Sequence, residues 1–225
     1  MKTVAFENNR RLGVGYLRWR DHDHDNRPRV YGGNLVLREL VQAEDGTLGT
    51  SFVPDMMPTP GAAQHLSVWS LVGDVDVIGN DIQFRASESA GIVRFSKACR
   101  EGIVSCRIEP LGEPKAYGFC VRGGGLMQRG YEVRFSPHKR LVWIRNLERE
   151  LTATDNRFDA ALYGVEGLDE PVDVELILQD DVFDLCINRR RTLIARYPDW
   201  TDGELYLFCL NGEAMFRNVR VNLFG

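Results

Sequence analysis

Apolar and polar residues alternate with a period of two along much of this chain, and this pattern constrains the fold more than any other feature. In YEVRF (131–135), the tyrosine, valine and phenylalanine share one side, and the glutamate and arginine share the other. The same alternation occurs in VDVELIL (172–178), FDLCIN (183–188) and FRNVRVNL (216–223). Strict alternation is typical of antiparallel strands with one buried face. These segments are therefore predicted to be half-buried strands.

Turn-forming residues separate the alternating segments at the spacing of about 8–12 residues that is typical of sandwiches and barrels. The pair Asn211-Gly212 fits a tight hairpin, because both central positions of such a turn need a positive φ. A short helical turn is expected only at 157–168. Further strands are predicted at 11–19, 34–41, 66–72, 81–86, 91–96, 102–109, 117–122, 140–145, 191–197 and 204–210.

The predicted fold class is all-β: a two-sheet antiparallel β-sandwich of the jelly-roll, concanavalin-like type, with an N-terminal β-hairpin extension. Residues 51–63 contain three prolines and two methionines without alternation, which indicates an extended linker. The expected organisation is an N-terminal extension over 1–50, the linker over 51–63, and the sandwich over 64–225.

Charge and hydropathy argue against two classes of partner. The chain has 28 Lys+Arg against 32 Asp+Glu, a net charge of -4, whereas nucleic-acid binders usually carry a basic excess. The arginine run 189–191 is expected to form a solvated hairpin turn. No apolar run approaches the ~20 residues that span a bilayer. We therefore expect neither a nucleic-acid partner nor a membrane partner.

The cysteines are odd in number and none form a Cys-x-x-Cys pair, which favours buried free thiols in a reducing compartment. The N-terminus, MKTVAFENNRRLG, lacks the apolar segment of a signal peptide. A cytoplasmic location is the resulting expectation. The cysteines are Cys99, Cys106, Cys120, Cys186 and Cys209.

Three stretches resemble the C-terminal part of family 32 glycoside hydrolases, the invertases, levanases and inulinases. They are ENNRRLGVGYLRW (7–19), YGGNLVLREL (31–40) and QDDVFDLCINRRRTLIARYP (179–198). The chain departs from the family pattern at Leu37, where proline is usual, and at Asp55, where glutamate is usual. The matching positions are Arg38, Glu39, Leu40, Asp181, Asp184, Asn188, Arg196, Tyr197 and Pro198.

The resemblance implies the last strands of a catalytic propeller followed by a β-sandwich. The family's catalytic motifs are Asn-Asp-Pro-Asn, Arg-Asp-Pro and Glu-Cys. None occurs here, and Arg20-Asp21 is followed by His22. The paired carboxylates of glycoside hydrolysis therefore cannot be assigned, and no catalytic residue is predicted. The favoured function is a non-catalytic module that supports the propeller or self-associates, with an exposed apolar docking patch expected within 4–19 and 30–60.

The segment RDHDHDN (20–26) combines carboxylates and imidazoles, which are ligands that Zn²⁺ accepts. On an extended chain, neighbouring side chains in this segment would point to opposite sides. A polar loop is the favoured interpretation, and the alternatives are a loop at the rim of a substrate cleft or a metal site. Neither a metal nor a cofactor is predicted. The candidates for the rim or propeller interface are Asp21, His22, Asp23, His24, Tyr31, Arg38 and Glu39.

Carbohydrate contact is the second candidate activity, because sugars are bound by aromatic faces together with planar hydrogen-bonding groups. Residues 131–135 and 140–145 should form a hairpin that brings outward side chains together. The alternative is that Tyr131 and Trp143 belong to the core while Glu132 and Arg134 form surface ion pairs. An autonomous lectin-like module and a glycosidase with an unrecognised site also remain open. The candidates are Arg122, Tyr131, Glu132, Arg134, Trp143 and Arg145.

Overall fold

The computed structural model describes residues 2–96, 100–148 and 160–224, and within these ranges the chain forms strands and single 3-10 turns without an α-helix. The all-β prediction is confirmed. The 3-10 turns are Glu7–Asn9, Asp21–Asp23, Pro54–Met56 and Pro137–Lys139. The strands are β1 (Lys2–Phe6), β2 (Arg10–Arg20), β3 (Arg29–Gln42), β4 (Leu48–Ser51), β5 (Pro60–Ala63), β6 (Val68–Val72), β7 (Asp74–Ile78), β8 (Asp81–Phe95), β9 (Gly102–Leu111), β10 (Ala116–Gly124), β11 (Arg129–Ser136), β12 (Leu141–Asn146), β13 (Ala160–Tyr163), β14 (Val172–Gln179), β15 (Val182–Ile187), β16 (Arg191–Arg196) and β17 (Glu204–Phe224).

The N-terminal residues form a four-stranded antiparallel sheet in the order β1-β2-β3-β4, which we call the N-terminal sheet. The sequence predicted only a hairpin here. The short strands β1 and β4 were missed, since five and four residues are too few to show a clear alternation. The segment predicted as a linker also contains a strand, because β5 pairs with the end of β17.

Two sheets form the sandwich, and the long strands β8 and β17 take part in both. Residues 205–210 of β17 pair with residues 90–95 of β8, and residues 212–216 pair with residues 82–86. Sheet I runs β6-β8-β17-β10-β11-β12-β13 through the first pair of halves. Sheet II runs β7-β8-β17-β9-β14-β15-β16 through the second pair.

The crossing point of β17 corrects the prediction of a hairpin at Asn211-Gly212. Both residues have positive φ, 47° and 157°, but they lie inside one strand, where the pairing with β8 shifts register between Leu210 and Gly212. A bulge of this kind bends a strand without ending it. A side chain at Gly212 would collide with Pro114, so glycine permits the bend. The two predicted strands 81–86 and 91–96 are likewise the two halves of β8.

The core lies between the inner faces of the two sheets. Phe119 of sheet I approaches Phe216 of sheet II with ring centroids 6.2 Å apart, and Tyr131 approaches Phe183 at 4.9 Å. Cys106, Cys120, Cys186 and Cys209 are free and buried.

Two predictions concern residues at or beyond the edges of the described ranges. The helical turn expected at 157–168 is wrong for residues 160–163, which form β13. Residues 157–159 and Cys99 lie outside the described residues. Among the described residues, no helix is long and apolar enough to cross a membrane.

Candidate functional site

A polar joint connects the N-terminal sheet to strands β15 and β16 of the sandwich. Arg38 Nη2 donates to Asp184 Oδ1 at 2.5 Å, and Arg38 Nε donates to Thr192 Oγ1 at 3.1 Å. The hydroxyl of Thr50 lies 2.7 Å from the same threonine oxygen. Arg38 is 9% exposed, so its ion pair is largely withdrawn from water. Breaking one partner of such a pair leaves a buried charge uncompensated.

A second set of contacts extends this joint. Arg196 Nη1 binds both carboxylate oxygens of Asp181, at 2.5 and 2.7 Å, and Nη2 donates to the side chain of Asn34. The guanidinium also lies 4.0 Å from the ring centroid of Trp19. Several residues that carry the sequence resemblance, including Asp181 and Arg196, therefore fix the N-terminal sheet on the sandwich.

The remaining rim candidates on strand β3 have different surroundings. Glu39 accepts from Arg10 Nε at 3.0 Å and Nη2 at 2.9 Å, and Arg10 also reaches Asp55 at 2.7 Å. These contacts tie β2 to β3 and to the turn that leaves the sheet. Tyr31 is 95% exposed. The structure therefore brings Arg38 into the joint and leaves Tyr31 in solvent.

The segment RDHDHDN does not have the extended conformation assumed from its sequence. Asp21–Asp23 forms a 3-10 turn in which His22 and Asp23 have positive φ, 50° and 52°, so alternation does not decide where these side chains point. His24 Nδ1 lies 3.0 Å from Asp199 Oδ1, which also accepts from the backbone N–H of Asp25 at 3.2 Å. The loop is thus attached to the sandwich.

Asp25 is the most deeply buried residue of this segment, 2% exposed, and sequence reasoning missed both it and Asp199. Its side chain accepts from Asn146 Nδ2 at 2.7 Å and hydrogen-bonds to the hydroxyl of Tyr131. Burial raises the pKa of Asp25 to about 6, and the hydrogen bond from Tyr131 opposes that shift. No sequence signal separates Asp25 from the exposed aspartates beside it, because the separation depends on the positive φ angles of the turn.

One face of the N-terminal sheet exposes large apolar side chains. The register pairs Val4 with Leu12 and Tyr16 with Leu35, which places Val4, Phe6, Tyr16 and Leu35 on the same face. They are 54%, 44%, 54% and 69% exposed. Arg38 belongs to the opposite face, which contacts the sandwich, since Arg38 pairs with Gly13. Grouped exposed apolar residues of this kind mark interaction surfaces.

The outer face of sheet I carries four of the six predicted sugar-binding residues. The register pairs Glu132 with Arg145 and Arg134 with Trp143, so all four share this face. Glu132 accepts from Arg134 Nε at 2.9 Å and Nη2 at 2.5 Å, and from Arg145 Nε at 2.7 Å. The Arg134 guanidinium lies 5.3 Å from the Trp143 ring centroid. We call Glu132, Arg134, Trp143 and Arg145 the Glu132 cluster.

Two of the predicted sugar-binding residues point elsewhere. Tyr131 lies on the inner face of β11 in the core, in agreement with the alternative interpretation of the sequence, and its hydroxyl accepts from the backbone N–H of Trp200 at 2.9 Å. Burial raises its pKa. Arg122, the other candidate, does not face outward. Its φ is 54° at a register shift of β10, and this turns the side chain into the protein, where it is 0% exposed.

Among the described residues, no group of three or more histidine, cysteine, aspartate or glutamate side chains is arranged to hold a metal ion.

Comparisons with known proteins identify similar folds. No protein-family model and no curated protein sequence matches the chain. The carbohydrate binding module CBM66 from Bacillus subtilis is 16% identical with a TM-score of 0.58, and the match covers 68% of this chain and 92% of the module. An exo-inulinase from Aspergillus awamori is 9% identical with a TM-score of 0.61, covering 98% of this chain and 41% of the enzyme.

A family 32 glycoside hydrolase from Bifidobacterium adolescentis is 14% identical with a TM-score of 0.51, and the match covers 100% of this chain and 31% of the enzyme. The chain thus spans less than half the length of either enzyme. The resemblance to family 32 enzymes drawn from the sequence is confirmed at the level of fold, with the N-terminal sheet included in the match. The shorter match to the binding module reflects a shared β-sandwich.

Proposed function

We propose that this chain is the non-catalytic part of a family 32-like glycosidase. In this proposal the N-terminal sheet packs against the blades of the catalytic propeller, and the sandwich supports the propeller. The observation that carries this proposal is the exposed apolar face of the N-terminal sheet. A four-stranded antiparallel sheet in sequential order is also the unit from which propeller blades are built. The joint through Arg38 and Arg196 gives that sheet a fixed position on the sandwich.

The proposal predicts that the chain alone does not hydrolyse fructans. The test is a sensitive assay for released sugar with sucrose, inulin and levan, with the same samples probed by ANS fluorescence. We expect no turnover, and ANS binding that falls when Tyr16→Glu and Leu35→Glu are combined, because both residues lie on the exposed face. The matched control is Thr3→Glu with Ala5→Glu, which adds the same two negative charges at exposed positions on the opposite face of the same sheet. Turnover, or equal ANS binding by both double variants, contradicts the proposal.

A second candidate function, carbohydrate binding at the Glu132 cluster, is favoured by its chemistry. Glu132 is 1% exposed beneath two arginines whose side chains remain about one quarter exposed, 23% for Arg134 and 26% for Arg145. Such an arrangement offers fixed guanidinium donors to sugar hydroxyl groups. The similarity in fold between this chain and a carbohydrate-binding module supports testing this surface.

Calorimetry with levan and inulin oligosaccharides tests the second function. We expect binding that is lost in Arg145→Ala and retained in Arg140→Ala, since Arg140 is an exposed arginine that pairs instead with Glu166. Equal affinity in wild type and Arg145→Ala, or no binding to either oligosaccharide, contradicts it.

A further inference from the structure

The outer face of sheet II divides into a covered apolar half and an open polar half. Ile103, Ile177 and Cys186 pack with Phe52 of the segment that leaves the N-terminal sheet, so this segment covers the apolar half. The polar half remains open as a groove of about 750 Å³ over strands β9, β14, β15 and β17. We call it the arginine groove.

The lining of the arginine groove contains more arginines than carboxylates. Four arginines line it, against the two carboxylates Asp173 and Glu175. The whole chain carries a net charge of -4. Glu109 and Asp81 beside the groove form ion pairs with lining arginines, so the positive charge without a carboxylate partner lies on only two of the four. The four arginines are Arg107, Arg189, Arg217 and Arg220.

Two of the arginines have carboxylate partners, and two keep guanidinium donors free. Arg107 Nη1 donates to Asp173 at 3.0 Å, and Arg217 Nε donates to Glu109 at 2.6 Å. Within the described ranges, Arg189 has no hydrogen-bond or ion-pair partner, and Arg220 uses only Nε, which donates to Asn218 at 2.8 Å. The terminal amino groups of Arg220 and the whole guanidinium of Arg189 can therefore donate hydrogen bonds to an anionic ligand.

Backbone irregularities place these two arginines at opposite ends of the groove. Arg189 lies in the turn between β15 and β16, where its φ is 50°. Arg220 follows a register shift of β17, within which Asn218 has a φ of 53°. Strands β15, β14, β9 and β17 are consecutive neighbours, so three strand spacings, about 14 Å, separate the two ends. A single small anion cannot reach both.

We propose that the arginine groove binds a saccharide that carries two or more carboxylate or sulfate groups. Guanidinium groups match the planar geometry of carboxylates and the oxygens of sulfate, and they remain charged at all physiological pH values. The groove lies on the open face of a sheet, away from its edge, and most of its lining residues are polar or charged. It therefore lacks the free strand edge or apolar channel with which proteins usually bind peptides. This site is separate from both the Glu132 cluster and the exposed face of the N-terminal sheet.

Calorimetry at low ionic strength tests the proposal with four probes: an oligogalacturonate, a neutral inulin oligosaccharide, inorganic sulfate and an oligoglutamate peptide. We expect the oligogalacturonate to bind more tightly than the other three, and added salt to weaken it. Combining Arg189→Ala with Arg220→Ala should reduce its affinity about tenfold or more, since two charge-assisted contacts are lost.

The control combines Arg11→Ala with Arg18→Ala, which removes the same charge from exposed positions on the N-terminal sheet. Its affinity for the oligogalacturonate should stay within about twofold of wild type, because distant surface charges are screened. The proposal is overturned if the oligogalacturonate does not bind or if the control loses as much affinity. It is also overturned if sulfate, the peptide or the neutral oligosaccharide binds as tightly.

Discussion

At the residue scale, Arg122 shows how a charged side chain can serve the core. Its guanidinium donates to the backbone carbonyls of Trp200 and Arg100, each at 3.0 Å, and to that of Asp180. It also lies 4.9 Å from the ring centroid of Phe183. One side chain thus supplies donors to three chain segments that have no strand partner at those positions. This role explains why the arginine is fully buried.

Replacing this arginine should therefore destabilise the sandwich. We expect Arg122→Met to lower the free energy of unfolding by about 3 kcal/mol or more, because three backbone carbonyls lose the buried guanidinium that donates to them. Urea denaturation measures the change, with Arg11→Met as the control for an exposed arginine, expected within about 0.5 kcal/mol of wild type. A loss for Arg122→Met no greater than for the control would show that the carbonyl contacts contribute little.

The raised pKa of Asp25 leads us to expect that the free energy of unfolding depends on pH. Its pKa rises from the ordinary aspartate value of 3.8 to about 6 in the folded protein, so the folded state holds the proton more tightly. Stability from this group is fully present below about pH 4 and is lost as the pH rises through about 6. The Asp25→Asn variant should therefore gain stability relative to wild type between pH 4 and 7, by up to about 3 kcal/mol.

Urea denaturation across that pH range measures the gain. Asp23→Asn removes one charge from the same loop and is the matched control. The assignment fails if the profiles of wild type and Asp25→Asn run parallel, or if Asp23→Asn gives the same gain. The groups that face Asp25 are Tyr131, Asn146 and Asp199, with His24 beside Asp199.

At the element scale, contact between β4 and the turn after β15 holds the N-terminal sheet on the sandwich. The backbone N–H of Thr50 donates to the carbonyl of Arg190 at 2.9 Å. A side chain at Gly49 would collide with that same carbonyl oxygen. Glycine at position 49 therefore permits the two backbones to approach each other.

The close approach predicts opposite results for two glycine substitutions in the N-terminal sheet. Gly49→Ala should separate β4 from the turn and speed amide hydrogen exchange at Thr50 while leaving the sandwich folded, at a cost of about 1–3 kcal/mol. Gly15→Ala is the control, since nothing lies within 4 Å of a side chain placed there. It should be neutral or slightly stabilising. Equal exchange at Thr50 in both variants would contradict the role of Gly49.

The sequence predicted those elements in which apolar and polar residues alternate. Strands β11 and β12 were predicted as a hairpin because alternating residues face the core, and their register places Glu132 and Arg145 together as expected. The path of β17 could not be predicted, because Asn211-Gly212 allows either a hairpin or a bulge and only its partners decide. For the candidate site, Arg122 and Asp25 could not be placed, since a positive φ at or just before each residue redirects the side chain.

At the scale of the whole molecule, the N-terminal sheet has two unlike faces. The face that carries Arg38 is fixed to the sandwich by the buried ion pair of Arg38 with Asp184, and the face that carries Tyr16 and Leu35 exposes apolar side chains to solvent. A sheet that needed only to fold on the sandwich would gain nothing from exposing the second face. The proposed docking role accounts for this asymmetry, since a neighbouring blade would bury it.

Sedimentation velocity over a range of protein concentrations tests the docking face most directly. We predict that these 225 residues, produced alone with the wild-type sequence, self-associate as their concentration rises, because this apolar face is then uncovered. The combined Tyr16→Glu and Leu35→Glu variant should remain monomeric with an unchanged melting temperature of the sandwich. A wild-type chain that sediments as one monomeric species at every concentration, indistinguishable from the variant, would contradict the account.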